Sequence, residues 1–308
     1  MSDRPPLPCP DPLTRAPRAQ PVPGLPPADR LHRAPPALQG ALVAILCRDN
    51  RPLGLDDAQR LSHFPASPLL GLSWYHGGVP YGLVGRDGRW TPFDAPVVVS
   101  GSQSQPVVSW APANGRGGML CFTAEVARGL FGLDPAALVD RFVPAPAVLG
   151  DAWAPLLDAL LAAPDDDATL AALVQHLAPR WQALHGRTGD APSLRQLGRH
   201  WVDRLAWQAH EWRRTHSPRQ VERRIKAHSG RSLRDWQALV RTEGVFFAAR
   251  ERHAAGLPFD WAGLAQEEGF ADQAHLVRTA RRITGFTPGE FAQRFVEDES
   301  FWLYRLWV

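Results

Sequence analysis

Two stretches of this 308-residue chain repeat one arrangement 55 residues apart, and no other feature limits the fold as strongly. In the first, Ser217-Pro218 opens a helical segment, Arg219-Gln220-Val221-Glu222-Arg223-Arg224-Ile225-Lys226, that stops at Ser229-Gly230. In the second, Asp272 opens a segment that stops at Thr284-Gly285. Serine and aspartate side chains cap free helix N–H groups, and glycine tolerates the left-handed backbone just past a helix end. At about 100° per residue, Val221 and Ile225 share one face of the first helix. Leu276, Ala280 and Ile283 share one face of the second. Opposite them stand Arg219, Arg223 and Lys226, with Glu222 alongside, and Ala274, Arg278 and Arg281, with Val277 beside. Before the second segment, Leu264-Ala265-Gln266-Glu267-Glu268-Gly269 reads as a short helix closed by a glycine turn. Short helix, tight turn and basic second helix form the layout of a helix-turn-helix, whose second helix enters the DNA major groove.

The charge distribution has the same focus. The net charge of +3 is nearly neutral as a total. Before residue 193 the formal charge is −2, and after it +5. Arg195–Arg231 alone holds ten basic residues and three acids, and Lys226 is the only lysine in the chain. Such a stretch is either a solvated basic face or a polyanion footprint, since arginine pairs bidentately with phosphate and with guanine edges.

The length suggests two domains. A hydrophobic fraction of 44% and a charged fraction of 21% exclude wholesale disorder. No apolar run approaches the ~18 residues of a membrane span, so no membrane partner is expected. Cys9, Cys47 and Cys121 lie far apart without zinc-ligand spacing, and no signal peptide opens the chain, so a reduced, cytoplasmic setting is expected. Residues 1–40 hold twelve of the thirty prolines and few large apolar residues, which predicts a disordered leader. Residues 41–190 begin β-rich. Leu70, Leu72, Trp74 and His76 alternate with Gly71, Ser73 and Tyr75, and Tyr81–Phe93 reads as a hairpin about Arg86-Asp87-Gly88. Val97–Ser100, Pro106–Trp110 and Met119–Phe122 add short strands, consistent with a small barrel or sandwich. Helices are predicted at Thr123–Phe131, Pro135–Phe142 and Leu156–Ala162. A further amphipathic helix is marked by Leu170, Leu173, Val174, Leu177, Trp181 and Leu184. His185-Gly186 to Pro192 is the expected boundary. Residues 193–308 read as helical throughout, with a Ser193–Gln196 capping box leading into Leu197, Trp201 and Leu205, and a long helix over about Ser232–Arg252.

Gly269-Phe270-Ala271-Asp272-Gln273-Ala274-His275-Leu276 with Arg281-Arg282-Ile283-Thr284-Gly285-Phe286-Thr287-Pro288-Gly289-Glu290-Phe291 resembles the signature of the AraC/XylS family of transcription regulators. Ser217–Lys226 resembles the family's first recognition helix, and the likeness spans about residues 193–295. It implies an α+β chain: a β-rich, cupin-like sensor domain with helices, then an all-α domain of two helix-turn-helix subdomains joined by a long helix. It implies base-facing roles for Arg219, Glu222, Arg223, Gln273, Ala274, Val277 and Arg278. Lys226, Arg281 and Arg282 are then expected on phosphates, which fix register without reading sequence. The sequence departs from the pattern twice. Residues 207–216 contain no glycine where the first unit's turn should be, and Ala280 stands where an aromatic core residue is common. Phe122–Trp181, notably Leu130-Phe131-Gly132-Leu133-Asp134-Pro135 and Asp140-Arg141, resembles the sensor domains of such regulators.

Within the N-terminal half, Trp74, Tyr75 and His76 are the effector-pocket candidates, with Trp74 equally readable as core. His63, His210 and Cys121 stand alone and read as structural. No HxH pair with a later glutamate suggests a cupin metal, and no catalytic triad, carboxylate pair or phosphate loop is evident. Hence no cofactor, no metal and no enzymatic activity are expected. The expected partners are double-stranded DNA, RNA polymerase, an unidentified small-molecule effector and a second copy in a homodimer. Two other readings stay open: a small-molecule-binding protein or enzyme whose helical domain mediates protein contacts, and an N-terminal domain that only dimerises. The aromatic tail Phe301–Val308 is expected to dock on the chain's own core or on a partner.

Overall fold

A computed structural model describes the backbone of residues 9–185 and 194–307. The expected boundary at 190–193 and the Ser193–Gln196 cap lie outside the described residues, as do the side chains of Leu197 and Trp201.

The first half carries ten strands: β1 (Asp29–His32), β2 (Ala44–Asp49), β3 (Ser62–Phe64), β4 (Leu70–Tyr75), β5 (Gly82–Val84), β6 (Trp90–Pro92), β7 (Val97–Ser100), β8 (Val107–Trp110), β9 (Arg116–Phe122) and β10 (Phe142–Pro144). They form two sheets, ordered β1-β2-β9-β4-β7-β10 and β3-β8-β5-β6, and every pairing is antiparallel. Interleaved helices are α1 (Ala124–Gly129), α2 (Pro135–Leu138), α3 (Ala145–Leu149), α4 (Ala154–Ala162) and α5 (Asp166–His185).

The period-2 pattern sorts the larger sheet into two faces. Ile45, Cys47, Leu70, Leu72, Trp74, Leu120 and Phe122 enter the main core with Leu156, Leu160, Leu173, Leu177 and Trp181 from α4 and α5. Leu46, Ser73, Tyr75, Met119 and Cys121 turn the other way. Gly118 sits opposite Trp74, and a Cβ there would lie 2.3 Å from the indole. Glycine is therefore what admits that ring. Leu184, expected on the inward face of α5, is exposed, because the helix outruns the surface it packs on.

The second half is helical, as the sequence predicts: α6 (Leu194–Arg213), α7 (Pro218–Ser229), α8 (Leu233–Ala254), α9 (Trp261–Glu267), α10 (Gln273–Thr284), α11 (Pro288–Glu297) and α12 (Trp302–Trp307). The chain thus has a β-sheet region followed by a helical region. The glycine-free segment 207–216 is explained by helix length. α6 runs on to Arg213, and the turn is closed by His216 N–H donating to the Trp212 carbonyl at 2.9 Å.

Two sequence expectations are corrected. The helix predicted over Pro135–Phe142 stops at Leu138. Asp140 takes a left-handed φ of 57°, and Phe142–Pro144 pairs with β7. Asp140 accepts from the Ser104 N–H, a local bond that rewards the turn over further helix. The leader is not without structure. Glu299 N–H donates to Ala16 (2.9 Å) and Arg18 N–H to Glu297 (3.1 Å), so residues 16–18 form a bridge with the start of the C-terminal segment. Arg294, buried and 2.7 Å from Asp298, also donates to the carbonyls of Leu13 and Thr14. Residues 29–32 form β1 on β2. A proline-rich segment lacks a core of its own but keeps its carbonyls, and distant donors hold it through them.

Candidate nucleic-acid interface and ligand cavity

Helices α7 and α10 have matching construction. Each has 12 residues. Ser217 and Gln220 form a reciprocal capping box on α7, and Asp272 accepts from His275 N–H at 2.6 Å on α10. Gly230 (φ 82°) and Gly285 (φ 86°) close their C-termini. Val221 and Ile225 are buried in α7; Leu276, Ala280 and Ile283 are buried in α10. Arg219, Glu222, Arg223 and Lys226 are exposed on α7; Gln273, Ala274, Arg278, Arg281 and Arg282 are exposed on α10, with Val277 half-buried beside them. The sequence-predicted base-facing and phosphate-facing residues therefore lie on the solvent faces of two like helices. Gly269 (φ 75°) turns the chain between α9 and α10. Phe270 N–H returns to the Ala265 carbonyl at 2.8 Å, and its ring is buried.

Ala280, the departure from the family pattern, is fully buried among Phe246, Phe286, Phe291, Phe301 and Tyr304. Rings from neighbouring elements occupy the space an aromatic at 280 would need.

Three of the basic groups already have partners. Lys226 pairs with Glu222 at 2.9 Å, Arg281 approaches Glu290 at 4.0 Å, and Arg282 approaches Asp235 at 3.8 Å. All of these side chains are about half exposed or more, so the pairs contribute little and exchange readily for phosphate. The Lys226 ammonium is held above its ordinary range by the hydrogen bond to Glu222 and stays charged.

The carboxyl ends of both helices rest on the first half. Arg128 donates to the Ala227 carbonyl at 3.1 Å and lies 3.2 Å from His228 Nδ1. Arg231 reaches Asp140 at 3.7 Å, and Val139 abuts Gly230. At α10, Ala66 N–H donates to the Ile283 carbonyl at 2.7 Å, and Pro106 approaches Gly285. A helix-end carbonyl that would otherwise lack a partner is thus satisfied from the other half of the chain.

Beside that contact lies a cavity of about 200 Å³, bounded by both sheets, α8, the end of α10, and α12. Tyr75, Tyr81 and Phe93 form an aromatic wall, with ring centroids 4.1 Å and 5.9 Å from Tyr75. Ile283, Thr284 and Tyr304 close the other side. Of the three effector candidates, Tyr75 lines this cavity. Trp74, on the opposite face of β4, is 1% exposed in the main core. His76 sets its Nδ1 3.0 Å from the Leu161 carbonyl, and burial lowers its pKa. Sequence reasoning missed Tyr81, Thr284 and Tyr304 as lining residues. The strand alternation that singled out Tyr75 was the available signal, and it says nothing about what a distant tail contributes.

His63, Cys121 and the tail also find places. His63 is buried against Phe286 and Phe301, and burial brings its pKa down to about 4. Cys121 is buried, its thiol pushed up to about 12. His210 is exposed. The tail docks on the chain itself: Phe301 and Tyr304 join the core of the second half, while Trp302 and Leu303 join Val43, Leu46 and Cys121 of the larger sheet. Among the described residues, His32, Cys47 and Asp166 converge closely enough to hold a metal ion. Arg30 and His32 already occupy the Asp166 carboxylate, at 2.6 and 2.7 Å, and hold its pKa at about 2 against the effect of burial.

No protein-family model matches the chain, and no curated protein matches it. Solved structures of ToxT from Vibrio cholerae do. That from strain O395 aligns at 9% identity with a TM-score of 0.36, covering 86% of this chain and 96% of that one. A second crystal form aligns at 10% identity with a TM-score of 0.36, covering 86% and 98%. Wild-type ToxT with a bound unsaturated fatty acid aligns at 10% identity with a TM-score of 0.35, covering 75% and 93%. At these values the likeness is distant, and the functional argument rests on the geometry of this chain.

Proposed function

We propose that the chain is a sequence-specific DNA-binding transcription regulator of AraC/XylS type, responsive to a small molecule held by its first half. The observation that carries this reading is the pair of capped 12-residue helices with buried aliphatic stripes and exposed basic faces. Arg219, Glu222 and Arg223 on α7, and Gln273, Ala274, Val277 and Arg278 on α10, would read base edges. Arg219, Arg223 and Arg278 suit guanine O6/N7, and Gln273 suits adenine. Lys226, Arg281 and Arg282 would hold phosphates. The chain performs no chemistry on this reading. Its action is placement on DNA, with RNA polymerase recruited or blocked and a second copy supplying a further half-site.

The cavity supports the effector part, because one enclosed space touches both sheets and the end of α10. A ligand there has differential contacts with any two arrangements of the halves, which is what a ligand needs to shift an equilibrium.

The test is binding-site selection from a random duplex library, followed by gel shifts with the selected duplex. The wild-type chain should enrich a defined motif. Its affinity should fall steeply with salt, at a log–log slope of about −0.9 per phosphate contact. Arg278→Ala should cost about 1–3 kcal/mol and relax the preference at one position. A chain that enriches no motif and shows no salt slope is not a regulator of this kind. The rival, a helical domain that only makes protein contacts, predicts that result.

A further inference from the structure

The cavity holds one orphan. Tyr304 is 3% exposed and lines the cavity, and its hydroxyl is buried without a hydrogen-bond partner. A buried hydroxyl that bonds nothing is costly, and native structures rarely keep one without a ligand, water or ion to complete it. Desolvation also raises the phenol's pKa, so at neutral pH it remains a neutral O–H.

The cations that reach the cavity are already committed. Arg48 and Arg60 are the only basic side chains among its lining residues, all of which are described. Arg48 lies 3.1 Å from Asp29 and 2.8 Å from Glu299, with its guanidinium 4.5 Å over the Trp302 ring. Arg60 donates to the carbonyls of Ala111, Leu55 and Pro112 and to Asp57. An anion entering this space would lose its hydration and have to compete with Glu299 and Asp29 for a charge already neutralised. A neutral molecule faces no such cost. The aromatic wall of Tyr75, Tyr81 and Phe93 offers ring faces for stacking.

Taking the cavity as the effector site proposed above, we infer that its ligand is a neutral, largely apolar, ring-bearing molecule with a hydrogen-bonding group that engages the Tyr304 hydroxyl, and that organic anions of the same shape are excluded. Such a ligand would span from the wall of the first half to Tyr304 of α12 and Thr284 of α10, and so bridge the two halves.

The experiment is titration calorimetry on the full chain at pH 7.5 with three probes of matched shape: 4-phenylphenol, 4-phenylbenzoate and biphenyl. Phenylphenol should bind, and phenylbenzoate should bind at least tenfold more weakly. Tyr304→Phe should weaken phenylphenol about tenfold, the loss of one hydrogen bond in a dry site, while leaving biphenyl unchanged. Its unliganded melting temperature should be no lower than wild type, which separates lost binding from lost folding. Phenylbenzoate binding as tightly as phenylphenol overturns the exclusion of anions. An unchanged phenylphenol affinity in Tyr304→Phe overturns the role of the hydroxyl, which a water then completes. A chain that selects a DNA motif and binds none of the probes overturns this inference and leaves the regulator reading standing. A chain that binds phenylphenol and selects no DNA does the reverse.

Discussion

At the residue scale, the buried His63 ties the two halves together electrostatically. Its ring packs on Phe286 and Phe301, and desolvation, reinforced by the positive charge of Arg294, brings its pKa to about 4 from an ordinary 6.5. Asp298 opposes that shift more weakly. A histidine buried neutral binds fewer protons folded than unfolded between those values. Stability is therefore fully present above pH 6.5 and is lost as the pH falls towards 4. The shift corresponds to about 3 kcal/mol, as an order of magnitude. His76 and His228 are lowered in the same direction, also by burial, so they add to the slope. Asp166 has its pKa lowered to about 2, so its contribution is lost only from about pH 4 downwards. His63→Phe should flatten the decline between pH 6.5 and 4 and leave the decline below 4 intact, as read by urea midpoints across pH. An unchanged slope above pH 4 in that variant would show that His63 is not the group titrating. Position 63 was legible in the sequence only as a lone histidine, because the rings that bury it come from residues more than two hundred positions away.

At the element scale, α7 and α10 were legible because everything that defines them is local: a cap, an aliphatic stripe at helical spacing, and a glycine at the end. Ser217→Ala and Asp272→Ala should each cost about 1 kcal/mol by removing a cap. They should weaken DNA binding uniformly across duplexes without altering the preferred bases, because a cap positions the helix without touching a base. A changed base preference in competition gel shifts would place Ser217 or Asp272 in the readout itself. Gly285→Ala should cost more than Gly289→Ala. The first sits at φ 86°, where a side chain strains the backbone; the second has open space at its Cβ and no positive φ. Thermal melts of the two variants compare them directly, and equal melting temperatures would mean that the left-handed turn is not retained in solution. The elements that sequence reasoning misplaced depend on distant partners. β10 exists because β7 offers an edge to Phe142–Pro144. Residues 16–18 are held because Glu297 and Glu299 present backbone groups to them. Periodicity within a segment contains neither fact.

At the scale of the whole molecule, the two halves share apolar material. The main core runs from Leu72 and Trp74 of the sheet to Val221, Ile225, Trp236 and Ile283 of the helical half. The tail adds a second join. Trp302 Nε1 donates to Ser62 Oγ at 2.8 Å, its ring lies under Arg48, and Phe301 beside it packs into the other half. Domains that meet through a small polar interface unfold separately, whereas a continuous core couples them. The wild-type chain should therefore melt in one calorimetric transition. Trp302→Ala removes a nearly buried indole that packs on the sheet and leaves the Ser62 hydroxyl without its donor. It should cost about 3–5 kcal/mol, of the order measured for large-to-small changes at buried aromatics. The loss falls on the join between the halves, so scanning calorimetry should show more than a lowered midpoint. The single peak should broaden or divide, with the sheet half and the helical half melting apart. Tyr304→Phe, which keeps the packing and removes only a hydroxyl, should retain the single peak. If Trp302→Ala shifts the peak without broadening it, the tail contributes stability but the coupling resides in the core shared by Trp74, Trp236 and Ile283. That residual join would then be the route by which an occupied cavity alters the placement of α7 and α10.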